Sequence, residues 1–186
     1  MIWNEHSSLV GSHSFLGASK YHWINYDEAK IADSYNGFLA TQKGTELHDF
    51  AARCIKLGQK LPKSPKTLNA YVNDAIGYKM IPEQVLYYSE NCFGTADAIA
   101  FRSGKLRIHD LKTGEIPAHI EQLKIYAALF CLEYKVKPAS IEIELRIYQS
   151  DEVRTHTPNA DEITPIMEKI VSFDKIIKKL KAQEVA

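Results

Sequence analysis

The sequence of 186 residues is poor in the features that mark specialised protein classes. Its three cysteines, Cys54, Cys92 and Cys131, are too few and too far apart for a disulfide framework or a zinc site. No apolar run approaches the ~20 residues that a membrane helix requires. The opening residues MIWNEHSSLVGSH show no basic leader followed by an apolar stretch, which a signal peptide would have. We therefore expect a cytoplasmic protein.

An excess of charge of either sign is also missing. Lysine plus arginine and aspartate plus glutamate each number 23, so the formal net charge is zero. A strongly basic coat for nucleic acid is excluded, but a local basic groove is not. With 45% hydrophobic and 25% charged residues, the composition is that of a globular chain. The length fits one domain over residues 1–186 that buries about 70% of its unfolded surface.

The hydrophobic pattern predicts helices first and strands later. In the N-terminal part, residues 1–80, we predict one or two short helices within residues 14–36. A further helix covers residues 41–59 and stops near Gly58. The next helix is capped by Ser64 and has Pro65 at its first position. A sheet core follows over residues 81–150. The C-terminal part, residues 161–182, is predicted to be helical, with Thr164 and Pro165 opening the helix. Within the core, the segment EQVLYYSE is a strand, residues 94–114 a hairpin, 117–134 a helix and 141–149 a strand.

This order predicts an α/β fold with a mixed central sheet flanked by helices. The helix over 117–134 connects two strands, and such a crossover places them in parallel. The hairpin GTADAIAFRSGKLRIHDLKTG holds the unusual residues of the chain. Its strands carry Asp97 and Asp110 at positions where core residues would be expected.

The hairpin turn fixes which side chains face each other. If Ser103 and Gly104 form the turn, Ile99 pairs with Ile108 and Asp97 with Asp110. Lys112 then points the same way as the two carboxylates, and Ala96, Ala98 and Ala100 form a small-residue face suited to helix packing. Two ionised carboxylates about 5 Å apart repel by roughly 3 kcal/mol at an effective dielectric constant near 20.

A divalent cation would offset that repulsion. Carboxylate oxygens at this spacing suit Mg²⁺ or Mn²⁺, and the ammonium group of Lys112 could orient a water molecule or stabilise charge on a phosphate. The alternative is a salt-bridged hairpin in which Lys112 neutralises one aspartate and the other faces water. The triad alone favours neither interpretation.

Taken with the flanking segments, these residues resemble the PD-(D/E)XK nuclease superfamily, in its branch with RecB-like, Cas4-like and phage exonuclease domains. The resemblance rests on Asp97 in GTADAI, on Asp110 to Lys112 in HDLKTG, on QLKIY with Gln122 and Tyr126, and on His48 in GTELHDF upstream. It covers roughly residues 44–149. It implies a restriction-endonuclease-like fold.

The resemblance also implies roles for individual residues. Asp97, Asp110 and the main-chain carbonyl of Leu111 correspond to metal ligands, and Lys112 to the catalytic lysine. His48 corresponds to a histidine that can bind a second metal ion. Glu83 corresponds to a further family acid, a role for which Glu46 and Glu90 are alternatives. By resemblance, Gln122 and Tyr126 lie beside the site and hold catalytic groups or nucleic-acid phosphate, whereas as structural residues they would only cap the sheet.

The function implied is a Mg²⁺- or Mn²⁺-dependent deoxyribonuclease, with exonuclease action favoured, in a bacterial or phage-infected cell. Its partner would be single- or double-stranded DNA, with a homo-oligomer as an option. Three dispersed cysteines predict no iron–sulfur cluster, and the absence of a Walker A sequence predicts no helicase motor in this chain. The alternatives are an inactive nucleic-acid-binding or inhibitory protein on the same fold, and a structural partner-binding subunit.

Overall fold

A computed structural model of the protein describes residue 7, residues 14–114 and residues 116–184. The α-helices are α1 (Glu28–Leu57), α2 (Thr67–Gly77), α3 (Glu121–Glu133) and α4 (Ala160–Glu184). The strands are β1 (Ile81–Ser89), β2 (Cys92–Arg102), β3 (Lys105–Leu111), β4 (Glu142–Gln149) and β5 (Glu152–His156). Two 3₁₀ helices span Ala18–Asn25 and Pro138–Ser140.

The chain forms two compact units, residues 1–45 and residues 46–186, and the division falls within α1. In the first unit, the ring of Phe15 packs against Tyr35 and Phe38, with centroid distances of 5.1 and 5.4 Å. The indole N–H of Trp23 donates to the carbonyl of Gly17 at 3.1 Å and fixes the 3₁₀ helix. The second unit contains the sheet.

The sheet has five strands in the order β1-β2-β3-β4-β5. All neighbouring pairs are antiparallel except β3 and β4, which are parallel and are connected through α3. The prediction of a mixed sheet with a helical crossover is confirmed. The fifth strand has no counterpart in the prediction, because its sequence EVRTH carries four exposed residues and no apolar alternation.

The two faces of the sheet carry separate cores. The helices α3 and α4 cover one face and form the first cluster with side chains such as Leu106, Ile108 and Leu145. The second cluster lies on the other face, where Ala51 and Cys54 of α1 and the helix α2 pack on the strands. The candidate site lies beside the middle of β2 and the C-terminal end of β3.

The predicted hairpin register is confirmed from Ala98 to the turn. Ile99 pairs with Ile108 and Arg102 with Lys105. Ser103 and Gly104 both have positive φ, 49° and 75°, as a two-residue turn of this twist requires. The small-residue face is only partly correct. Ala98 and Ala100 pack in the second cluster, but Ala96 packs in the first, because regular pairing is interrupted at Asp97.

One predicted helix end is confirmed, and two predicted helix starts are wrong. Gly58, with φ of 67°, ends α1 as predicted. The helix α2 begins at Thr67, three residues after the predicted cap Ser64. The helix α4 begins at Ala160 rather than at Thr164, because Asn159 and Glu162 form a reciprocal capping box with bonds of 3.1 and 3.2 Å.

Helical spacing places Phe50 beside Ala51 and Cys54 on one stripe of α1, but Phe50 is 44% exposed, since Ala51, Cys54 and Ile55 form the contact instead. In the part of the chain that the structure describes, none of the helices combines the length and the apolar character needed to cross a membrane.

An ionic network lies on the α2 face of β3 and β4. Glu144 is its centre, with Lys105, Arg146 and Arg107 at 3.0, 3.0 and 3.4 Å from its carboxylate oxygens. Burial alone would raise the pKa of Glu144, but the hydrogen bond from Lys105 and the charge of Arg146 hold it below its ordinary value. Burial together with the charge of Arg146 lowers the pKa of His109 to about 3, so this histidine is neutral.

We predict that Glu144→Ala destabilises the fold by about 3 kcal/mol, because removing one member of a buried ionic group leaves the others uncompensated. Glu142→Ala is the matched control. Glu142 contacts the same Lys105 at 3.0 Å, but its side chain is 61% exposed against 11% for Glu144. Its loss should cost less than about 1 kcal/mol. Urea unfolding measures both; equal costs would contradict the central role of Glu144.

Candidate metal centre

Asp97 lies at a gap in the pairing of the sheet. The β1–β2 ladder pairs the residues on either side of Glu83 and Asp97 but passes over these two. The β2–β3 ladder ends at Ala98↔His109, one residue short of Asp97. The carboxylate replaces the missing backbone bond, because Oδ2 of Asp97 accepts from the N–H of Leu111 at 2.9 Å. The predicted Asp97–Asp110 strand pair is therefore not formed through the backbone.

Three side chains that can bind a metal ion lie together at this gap. His48 of α1, Glu83 of β1 and Asp97 of β2 each offer a ligand atom, and these atoms all lie within 4.8 Å of one another. Nδ1 of His48 is 3.4 Å from Oδ2 of Asp97. One imidazole nitrogen and two carboxylate oxygens form a donor set that fits Mn²⁺ or Mg²⁺. Of the alternatives weighed from the sequence, Glu83 is in this group, and Glu46 and Glu90 are not.

The backbone of Glu83 is unusual for its position. Its φ is 53°, in the left-handed region that non-glycine residues rarely adopt. The other described non-glycine residues with positive φ lie outside the strands, in the connections between elements, whereas Glu83 lies inside β1. A conformation that costs about 1 kcal/mol or more persists only where its surroundings enforce it, and functional sites are common places for it. Here the strained residue is one that carries a candidate ligand.

Asp110 is held by Lys112 instead of by the three-residue cluster. Nζ of Lys112 lies 3.1 Å from each carboxylate oxygen of Asp110 and donates to Oδ1. Asp110 is 2% exposed, and its Oδ2 is buried without a well-formed hydrogen bond among the described residues. This oxygen has the Lys112 ammonium at 3.1 Å but no directed hydrogen bond, so it could also bind a cation at this site.

A chain of hydrogen bonds leads from Asp110 to α3. Lys112 donates to Oε1 of Gln122 at 3.0 Å, and Nε2 of Gln122 donates to the hydroxyl of Tyr126 at 3.1 Å. Gln122 and Tyr126 are four residues apart and so share one face of the helix. Gly94 of β2 makes room for the ring: a Cβ atom there would lie 2.9 Å from Cε1 of Tyr126. The lysine is therefore fixed in position from two sides.

Both aspartates hold their protons more tightly than an exposed aspartate does. Burial, followed by the charge of Asp110, raises the pKa of Asp97 to about 6, although His48, the Leu111 N–H and Lys112 act in the opposite direction. Burial also raises the pKa of Asp110 in spite of Lys112. Lys112 and His48 thus do not offset the cost of burying the two carboxylates, which agrees with a site that binds a cation.

Tyr71 of α2 belongs to the same region. It is 2% exposed. Burial, and then the charges of Asp97, Glu83 and Asp110, raise the pKa of its phenol, so it stays protonated. No motif in the sequence relates Tyr71 to the acids, because their proximity depends on how α2 packs on the sheet.

Comparison with known proteins gives the family of the chain. Residues 80–179 match the family DUF2800, whose description is a protein of unknown function, and the chain belongs to this family. The matched range runs from just before β1 into α4 and includes all the candidate site residues except His48. No curated protein matches the sequence.

We predict that Asp97→Asn stabilises the metal-free protein by up to about 3 kcal/mol at about pH 8. Because the folded pKa of Asp97 is about 6, above that of an unfolded aspartate, the wild-type fold loses stability as the pH rises towards 6, and the penalty is complete above it. Asparagine removes the charge and keeps an oxygen for the Leu111 N–H.

The measurement is chemical unfolding in EDTA across the pH range. The advantage of the variant should shrink as the pH falls from 6 to about 4 and be absent below that, where Asp97 is protonated in both folded and unfolded states. Asp49→Asn, a change at an exposed residue of α1, controls for the loss of a charge. An advantage that is independent of pH would contradict the assigned cause.

Proposed function

We propose that the protein is a metal-dependent deoxyribonuclease that hydrolyses phosphodiester bonds, with exonuclease action favoured, on a restriction-endonuclease-like fold. The observation that supports it most is the placement of His48, Glu83 and Asp97 within 4.8 Å of one another, beside a lysine held by Asp110. The five-stranded mixed sheet with α3 as its crossover is compatible with that fold.

The residues divide into a cation-binding group and a group that handles the phosphate. His48, Glu83 and Asp97 would hold Mg²⁺ or Mn²⁺, with Asp110 and the carbonyl of Leu111 as further ligands. When bound, such an ion polarises the phosphodiester and makes water more acidic. The raised pKa values of both aspartates mean that the cation would be bound in competition with protons.

Lys112 contributes an ammonium group beside the acids. Its Nζ has Asp110 and Gln122 as acceptors, which leaves a third N–H for a water molecule or a phosphate oxygen. In that position it would orient the attacking water and stabilise the negative charge that develops on the phosphate. Gln122 and Tyr126 would set the direction of this N–H through their own hydrogen bond.

The proposal predicts cleavage of DNA that depends on Mg²⁺ or Mn²⁺ and stops in EDTA. End-labelled linear, closed circular and single-stranded DNA, with matched RNA, would be incubated with the purified chain. Asp97→Ala should abolish turnover, and Lys112→Ala should lower kcat by about 10²–10³-fold. The control is Lys56→Ala, at an exposed lysine near the end of α1.

Several outcomes would contradict the proposal. Binding of DNA without cleavage under any metal condition would indicate an inactive binding protein on the same fold. Cleavage of RNA in place of DNA would contradict the substrate. If Mn²⁺ did not raise the melting temperature of the wild type by more than that of Asp97→Ala, the residues would not form a metal site, and the structural subunit would be favoured.

A separate prediction concerns the glycine under the tyrosine ring. Gly94→Ala should displace Tyr126 and loosen the orientation of Gln122 and Lys112, lowering kcat by about 10-fold with a smaller effect on KM. Gly77→Ala is the control, since a Cβ atom at Gly77 meets nothing within 4 Å. Unchanged kcat in Gly94→Ala would show that the tyrosine does not position the lysine.

A further inference from the structure

The last turns of α4 present a stripe of apolar side chains to solvent. Phe173, Ile176, Ile177 and Leu180 are 57%, 52%, 36% and 54% exposed. They follow one another at helical spacing and continue the stripe with which α4 packs on α3, where Ile170 is buried. A helix whose apolar stripe extends beyond its own core is incompletely covered, and such patches mark interaction surfaces.

A groove lies next to the stripe. It has a volume of about 450 Å³ and is lined by Cys92 of β2, Ile125 of α3, and Ile166, Ile170 and Phe173 of α4. Protruding apolar side chains and an apolar hollow therefore occur on one surface of the same chain. An interface with a two-fold axis needs a patch that is complementary to itself, and a knob beside a hollow meets that condition.

The charges of α4 are divided between its two halves. Residues 160–170 carry three carboxylates and one lysine, whereas residues 171–184 carry two carboxylates and four lysines. Two copies of this helix in antiparallel orientation would place each basic half beside an acidic half. In parallel orientation they would place like charges together. The chain has a net charge of zero, so no overall repulsion opposes its self-association.

We propose that the exposed stripe of α4 pairs with the same helix of a second copy, in an antiparallel interface with two-fold symmetry. This interface does not depend on the nuclease activity proposed above. Nucleic acid is a poorer match for the surface, because two of the four lysines of the basic half are already bound. Nζ of Lys178 is 2.8 Å from Asp174, and that of Lys181 is 2.5 Å from Asn91.

Sedimentation equilibrium of the full chain over a range of micromolar concentrations tests the interface. The wild type should dimerise reversibly. Phe173→Glu and Leu180→Glu should each weaken the dimer by at least about 30-fold, as substitutions at the centre of an interface do. Leu57→Glu is the control, since Leu57 is a 77% exposed residue at the end of α1. Circular dichroism should show that all three variants are folded.

Charge reversal tests the orientation. Lys175→Glu with Lys179→Glu should weaken the dimer, and adding Asp161→Lys with Glu168→Lys should restore it, because opposite charges again face each other only in the antiparallel arrangement. Moderate salt should weaken the wild-type dimer. A strictly monomeric wild type, a dimer indifferent to Phe173→Glu, or a charge-reversed pair that is not rescued would overturn the proposal. A monomeric wild type that binds DNA and loses this binding in Phe173→Glu would assign the stripe to nucleic acid and would also overturn the proposal.

Discussion

The carboxylate of Asp97 takes the place of a backbone hydrogen bond that the sheet does not make, and the candidate site depends on this substitution. Because the ladders on both sides of β2 omit Asp97, its side chain can turn to the N–H of Leu111 and towards His48. A regular pair at this position would have kept Asp97 in the alternation of the strand. Because of the interruption, the Asp97 side chain lies close to His48 of α1, to Glu83 of β1 and to the end of β3.

The interruption leaves an electrostatic imbalance that the chain does not correct. Lys112 is bound to Asp110 and Gln122, and His48 approaches Asp97 only at 3.4 Å. In the ionic network of β3 and β4 the opposite holds, since Glu144 is surrounded by Lys105, Arg107 and Arg146. The candidate site therefore has acids without enough cations, whereas the network has a carboxylate with an excess of them. Only the first arrangement is suited to an external cation.

Local chemistry made part of this structure predictable. The hairpin register followed from the turn residues Ser103 and Gly104, and the parallel pairing of β3 and β4 from the length of α3 between them. The start of α4 was missed because the capping box of Asn159 and Glu162 lies outside the apolar pattern. The strand β5 was missed because it is stabilised by pairing with β4 and not by its own hydrophobicity.

The site was predictable to a similar degree. The register argument predicted one ion between Asp97 and Asp110, and the resemblance added His48 and Glu83 as further ligands. In the structure the close neighbours of Asp97 are His48 and Glu83, and that of Asp110 is Lys112. A register argument treats strands as regular, and this site lies where β1 and β2 are irregular. A salt-bridged structural hairpin would need neither the left-handed Glu83 inside β1 nor two buried aspartates with raised pKa values. Both features cost stability, and a bound cation would account for both.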